Sequence, residues 1–314
     1  MKEIINTLFS FLPERIRDIA YYRFLWNVCF PEIVHIENTN ACNARCTICA
    51  REQMIRPIGF MELDLFKKII DECSERNTVA EVHLHGFGEP LLDPQLIDKL
   101  RYAKQRNIKK TYFVTNASLL NADTAEKLIA SGLDKIKFSF YGADKKTYEA
   151  IHCGLNFDEV ESNIRNFFKI RDRMGSASPA VTIQFIPQAV DIEGRNNLFR
   201  KWEGFINKKK GDRIEDFYLH NWIYGRDYNS PRKKNRSLKS CAIPFKIIQI
   251  LSNGSVVPCV FDFNGRMTMG QIKTKTIKQV WNSAEYILLR KKHRLGNFAE
   301  IPLCISCDQL RKDL

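Results

Sequence analysis

The chemistry in this sequence is carried by its cysteines, ten in 314 residues, seven of which fall into two spaced groups. Cys42, Cys46 and Cys49 lie in ENTNACNARCTICARE with the spacing C-x3-C-x2-C, just after a short β-branched run. Three thiolates so close can converge on one cubane [4Fe–4S] cluster and leave one iron without a protein ligand, and an open position is what a catalytic metal centre needs. An incomplete zinc site or scattered buried thiols explain the group less well, because zinc prefers a fourth ligand nearby and the flanking sequence is polar. Cys241 and Cys259 bracket an Asn253-Gly254 turn, and Cys304 and Cys307 form C-x2-C near the C-terminus. Four thiolates in that pattern suit zinc or a fully ligated iron–sulfur cluster, and spacing alone leaves both open. Cys29 and Cys73 sit on apolar helical stretches and read as core residues. Cys153, in IHCGLNF, belongs to neither class.

These side chains must be positioned by a folded scaffold, and the composition allows one. With 44% hydrophobic and 27% charged residues the chain is neither disordered nor fibrous, and its length is ample for a core. No apolar run approaches the roughly 20 residues of a membrane span. The N-terminus has charges through its apolar stretch and no cleavage site, so the expected compartment is reducing and cytoplasmic, where clustered cysteines mean metal or catalysis.

Residues 1–32 read as one or two amphipathic helices, expected to cap the scaffold rather than rest on a membrane surface. From 33 to 222 strand and helix alternate. The strands are expected at Ile33–Ile36, Ala80–Leu84, Lys110–Val114, Lys135–Phe140, Ala180–Ile186 and Glu215–Leu219. Between them lie helical stretches such as Glu62–Cys73, Pro94–Gln105, Ala122–Ala130 and Phe157–Arg171, with Thr124 and Asp158 near helix starts and Gly132 after a helix end. Six βα units imply an α/β fold built on a parallel sheet, a partial (β/α)6 barrel rather than a closed eight-fold one. Residues 223–240 form a basic connector. Residues 241–314 then read as a small unit, a β-hairpin around Asn253-Gly254 followed by a helix from Ile277 to His293.

The first cysteine motif resembles that of the radical S-adenosylmethionine (radical SAM) enzymes, C-x3-C-x-Φ-C, with Ile48 at the Φ position where many members carry an aromatic residue. Gly86-Phe87-Gly88-Glu89-Pro90 at the end of the second strand is similar to the family's GGE-like segment. Thr115-Asn116 and Ser139 end the third and fourth strands in matching places. The resemblance implies a radical SAM barrel in which Cys42, Cys46 and Cys49 hold a [4Fe–4S] cluster. Ile48, Gly88, Glu89, Pro90, Asn116 and Ser139 then face S-adenosyl-L-methionine. It implies reductive cleavage of SAM and removal of a substrate hydrogen atom by a 5′-deoxyadenosyl radical. The segment CAIPFKIIQILSNGSVVPCVFD with Met269-Gly270 and QVWNSAEY is similar to the SPASM/twitch auxiliary-cluster domain. With four cysteines it resembles the shorter twitch form, with Cys241, Cys259, Cys304 and Cys307 around one further [4Fe–4S] cluster.

The same resemblance points to a sugar-like small molecule as substrate, with a flavodoxin- or ferredoxin-type one-electron reductant. Abstraction from a carbinol carbon leads either to epimerisation or to two-electron dehydrogenation. Epimerisation needs a hydrogen donor, and Cys153 is the candidate thiol, with His152 beside it as a proton acceptor; both are equally compatible with ordinary loop residues. On that thiol the expectation leans to epimerisation. Radical modification of a peptide or RNA is the alternative within the family, and a non-catalytic iron–sulfur or zinc protein the alternative outside it. The net charge of +13 concentrates in Lys208–Lys210 with Arg213, Arg232–Lys234 with Arg236, and Arg290–Lys292 with Arg294. Such runs are either solvated surface or an attraction for an anionic sugar derivative. No RNA-binding motif accompanies them, so nucleic acid is not the expected partner.

Overall fold

A computed structural model describes residues 30–76, 78–186, 192–220, 222, 241–305 and 307. The N-terminal helices expected over residues 1–32, Cys29 and the connector at 223–240 fall outside these residues, apart from 30–32. Six strands pair in parallel in chain order: β1 (Ile33–Ile36), β2 (Glu81–His83), β3 (Thr111–Thr115), β4 (Lys135–Ser139), β5 (Ala180–Phe185) and β6 (Arg213–Asp216). The crossovers carry α1 (Leu63–Ser74), α2 (Leu96–Gln105), α3 (Ala122–Ala130), α4 (Lys145–Ile151), α5 (Phe157–Arg173) and α6 (Ile192–Glu203). Helix starts are fixed by asparagines: Asn121 Oδ1 accepts from Thr124 N at 2.8 Å and Asn156 Oδ1 from Glu159 N at 3.0 Å. Thr124 and Asp158 therefore lie inside the first turns rather than at the caps. Gly132 follows α3 at φ +81°, as a helix-terminating glycine does.

The sixth strand begins two residues earlier than the β-branched pattern suggests. Asp212, buried, accepts from Val181 N, Asn207 N and both terminal nitrogens of Arg171, so the chain is already docked against β5 at that point. Its apolar extension beyond Asp216 is used elsewhere, in the wall of the cavity below.

The C-terminal unit begins with the one-turn α7 (Ile243–Lys246), followed by β7 (Ile247–Ile250), β8 (Ser255–Val257), β9 (Gly270–Gln271), α8 (Ile277–Trp281) and α9 (Ala284–Leu295). The hairpin turns at Gly254, φ +87°, as its Asn-Gly sequence demands. It is not a separate appendage: β7 pairs in parallel with β1, giving one nine-stranded sheet in the order β6-β5-β4-β3-β2-β1-β7-β8-β9. β1 would otherwise present an open edge of unpaired backbone groups, and Ile248 and Ile250 continue the buried row of Val34 and Ile36.

Alternation gives the sheet two different faces. Val34, Val82, Phe113, Ile136, Phe138, Val181 and Ile183 are fully buried in the main apolar core. The opposite face carries His35, His83, Tyr112, Lys135, Lys137, Glu215 and Gln249, a polar lining. Among the described residues no helix is long and apolar enough to cross a membrane. Of the last basic run, one member is taken out of the surface. Arg290 is buried, donating to Pro244 O and Trp281 O at 2.8 Å and lying over the Trp281 ring.

Candidate active site

The loop after β1 holds the first cysteine group against two neighbouring segments. Glu89 N donates to Ala41 O at 2.7 Å, while Arg45 N and Thr47 N donate to Cys153 O and Ile151 O, each at 2.9 Å. Cys49 Sγ caps a short 3-10 turn by accepting from Arg51 N at 3.4 Å, and Cys42 Sγ accepts from Ala44 N at 3.5 Å. Gly88 is where the turn after β2 meets this loop: a Cβ there would lie 2.4 Å from Thr39 O and 2.6 Å from Ala41 O. Only glycine permits that approach.

The three cysteines open into one cavity of about 280 Å³, together with Ile48, Gly86, Gly88, Glu89, Asn116 and Ser139. It lies at the carboxyl ends of the strands, where α/β barrels assemble their sites. Burial and the neighbouring Glu89 and Cys49 push the Cys42 thiol up to about 11, against a backbone hydrogen bond from Ala44, and burial with Cys49 and Cys42 beside it pushes Cys46 higher still. Crowded thiols of this kind hold their protons until a cation takes the protons' place.

Glu89 lies at the cavity wall but spends both carboxylate oxygens on protein donors. Oε1 accepts from Thr115 Oγ1 at 2.6 Å and Leu91 N at 3.0 Å, and Oε2 from Asn116 N at 2.8 Å. Asn116 is committed in turn, its Nδ2 donating to Asn43 Oδ1 in the cysteine loop at 3.0 Å. Glu89 thus ties β3 to the loop. Pro90 is buried behind it, opening a 3-10 turn, and is not part of the cavity lining. Trp222 Nε1 donates to Ile48 O at 2.7 Å.

His152 is buried, with Nδ1 3.2 Å from Cys46 Sγ and its ring stacked on Tyr141. Burial holds its imidazole down at about 3, and Nε2 has no partner. Cys153, the next residue, places its Sγ 3.7 Å from Ala150 O and near enough to Cys46 to help raise that thiol, but it is not among the residues lining the cavity. The pattern of cysteines and strand ends also gave no warning of the aromatic wall formed by Phe87, Tyr141, Phe217, His220 and Trp222. The run DFYLHNW after β6 was its only sequence signal.

Cys241, Cys259, Cys304 and Cys307 come together around a second, apolar cavity, a small one of about 30 Å³, walled by Pro244, Phe261, Leu289 and Leu303 among others. Burial first, and then the neighbouring thiols, push Cys241 and Cys304 up to about 12 and Cys259 further. Four convergent sulfurs with little competing polar surface have the donor chemistry of a closed metal site.

Comparison with known proteins matches the two parts of the chain that carry the cysteine groups. The radical SAM superfamily profile matches residues 36–177, and an iron–sulfur cluster-binding domain (SPASM) matches residues 241–308. The chain belongs to the radical SAM superfamily. A tungsten-containing aldehyde ferredoxin oxidoreductase cofactor-modifying protein of Pyrococcus furiosus is 26% identical, with 88% of each chain covered. An S-adenosyl-L-methionine-dependent 2-deoxy-scyllo-inosamine dehydrogenase of Niallia circulans is 19% identical over 88% of this chain and 93% of that one. The crystal structure of BtrN in complex with AdoMet and 2-DOIA has a TM-score of 0.62 at 19% identity, covering 90% of this chain and 97% of that one. It shares the fold. This radical SAM enzyme uses SAM and [4Fe–4S] clusters, and its thiol groupings suit them: three sulfurs facing an open cavity at the barrel mouth, and four enclosed in the SPASM unit.

Proposed function

We propose that this radical SAM enzyme dehydrogenates a carbinol carbon of a sugar-like small molecule. In that reading Cys42, Cys46 and Cys49 hold the SAM-binding cluster, while Cys241, Cys259, Cys304 and Cys307 hold the auxiliary one. The bound cluster and SAM supply the hydrogen-abstracting radical. The protein's own part is to present the substrate beside it and keep water out, which the wall of Phe87, Tyr141, Phe217 and Trp222 serves.

The observation that carries the choice of outcome is the placement of thiols. Among the described residues, Cys42, Cys46 and Cys49 are the only thiols lining the cavity, and the Cys153 thiol is engaged with Ala150 O. A substrate radical without a hydrogen donor completes its reaction by losing one proton and one electron, giving a ketone. The enclosed four-cysteine site suits an acceptor for that electron. The relative named as a 2-deoxy-scyllo-inosamine dehydrogenase supports the same substrate class. This reading replaces epimerisation, for which Cys153 was the motive.

The test is turnover of aminocyclitols and sugar alcohols in deuterated water with dithionite as reductant. Dehydrogenation gives one ketone per 5′-deoxyadenosine and no deuterium at the carbinol carbon. Inverted product carrying deuterium, lost in a Cys153→Ala enzyme, would overturn it in favour of epimerisation.

A further inference from the structure

On the polar face of the sheet, reaching the cysteine-lined cavity at His85, register brings three histidines together. Gln249 on β7 pairs with His35 on β1, His35 with His83 on β2, and His83 with Tyr112 on β3. His85, two residues further along, stacks on His83 with ring centroids 5.7 Å apart. One ring nitrogen from each of His35, His83 and His85 lies within 4.8 Å of the others, and His83 Nδ1 is 2.6 Å from His35 Nε2.

We propose that His35, His83 and His85 form a binding site for zinc or a similar first-row divalent cation, with Glu81 orienting His83 from behind. Three imidazoles are a donor set such ions favour. A tetrahedral ion with nitrogen ligands at 2.0–2.1 Å places them about 3.3 Å apart. One observed separation, 2.6 Å, lies below that spacing and none exceeds 4.8 Å, so the three nitrogens are already gathered on the scale an ion needs. The far nitrogen of His83, Nε2, is 2.9 Å from Glu81 Oε2, the carboxylate–histidine pairing that fixes a ligand's tautomer.

A self-sufficient hydrogen-bond network is the ordinary alternative, and it does not close. His85 Nδ1 and Gln249 Nε2 are buried without partners, whereas interior polar groups are normally satisfied. Lys135 and Lys137 lie near enough to disfavour positive charge on His83, and Lys137 on His85, but both are partly offset by carboxylates, Lys135 by Glu81 at 3.1 Å and Lys137 by Glu215 at 2.8 Å. Burial also lowers the pKa of all three imidazoles, keeping their lone pairs available. His85 belongs to the cavity wall as well. With three protein ligands the ion keeps an open position, which an oxygen from the cavity, water or a substrate hydroxyl, can fill.

The experiment uses the cluster-loaded enzyme, in which iron occupies the thiols. After a chelator wash it receives one equivalent of zinc chloride and is gel-filtered, and retained metal is measured by elemental analysis and zinc-edge X-ray absorption. The expected result is about one zinc per chain with a nitrogen/oxygen shell at about 2.0–2.1 Å. His35→Asn and His83→Asn lose the zinc and keep their iron, and Glu81→Gln weakens it about 10–100-fold. No retained zinc, a sulfur shell near 2.3 Å, or zinc unchanged in the histidine variants overturns the proposal. If the variants lose iron by misfolding, the wild-type absorption spectrum alone decides. None of these readouts depends on the substrate or on turnover.

Discussion

Glu89→Gln isolates what the buried carboxylate does. Its oxygens receive three hydrogen bonds, from Thr115 Oγ1, Leu91 N and Asn116 N. A protonated carboxyl keeps an acceptor lone pair on each oxygen, whereas an amide NH2 has none. In its better orientation the glutamine places NH2 at the Asn116 side and orphans one buried donor, at a cost of about 1–3 kcal/mol. The other orientation orphans Leu91 N and forces the Thr115 hydroxyl round, so the first is adopted. Against this cost stands relief of the buried charge, since burial raises the Glu89 pKa despite its hydrogen bonds.

The two effects separate with pH. Because the folded-state value lies above the ordinary 4.5, the wild type binds the proton more readily folded than unfolded. It therefore gains stability as pH falls through that window, and the glutamine protein does not. The gap widens towards its full value at low pH. For a chain of this size it corresponds to a drop of roughly 2–10 °C in melting temperature. Anaerobic thermal melts of cluster-loaded protein at pH 7 and pH 5.5, with iron counted at both, read it out. A melting temperature equal to or above wild type at both pH values, or a gap that shrinks as pH falls, would refute the reasoning.

Three further outcomes, one with its control, follow from named contacts. Gly88→Ala drives its Cβ into Thr39 O and Ala41 O and is expected to abolish 5′-deoxyadenosine formation and lower iron from about eight to about four per chain. Gly59→Ala, which meets nothing within 4 Å, leaves both unchanged. Cys304→Ser is expected to halve the iron while SAM cleavage with dithionite persists, because the lost cluster is the enclosed one. Asp212→Asn leaves the buried Arg171 guanidinium without its bidentate partner and is expected to destabilise the protein by about 3–5 kcal/mol in chemical denaturation.

The sequence carried the cysteine chemistry openly, because ligand spacing is local and the strand ends that complete the site follow in order. The β-branched runs located all six barrel strands, with β6 misplaced by two residues. That error arose because a buried aspartate, invisible to hydrophobic periodicity, docks the chain before the apolar residues begin. The hairpin was legible from Asn253-Gly254, but its pairing partner was not, since parallel register between residues 33 and 247 is a long-range fact. Cys153 stands out in the sequence for its place in the loop after the short helix that follows β4. A single peptide unit separates it from His152, yet His152 lies against Cys46 in the cavity wall while Cys153 is absent from that lining and contacts Ala150 O. The histidine alternation in EVHLHG was equally visible, but its meaning depends on His35 arriving from another strand.

The pairing of β7 with β1 bears on how such a protein can be taken apart or recombined. Truncation before residue 241 would not release a finished barrel; it would strip a strand from the sheet and leave β1 as a raw hydrogen-bonding margin, prone to recruit other chains. Grafting a relative's C-terminal unit onto this barrel is likewise an exchange of a neighbouring strand. The donor must reproduce the match of Ile33 to Ile247 and of His35 to Gln249 before its cysteines matter.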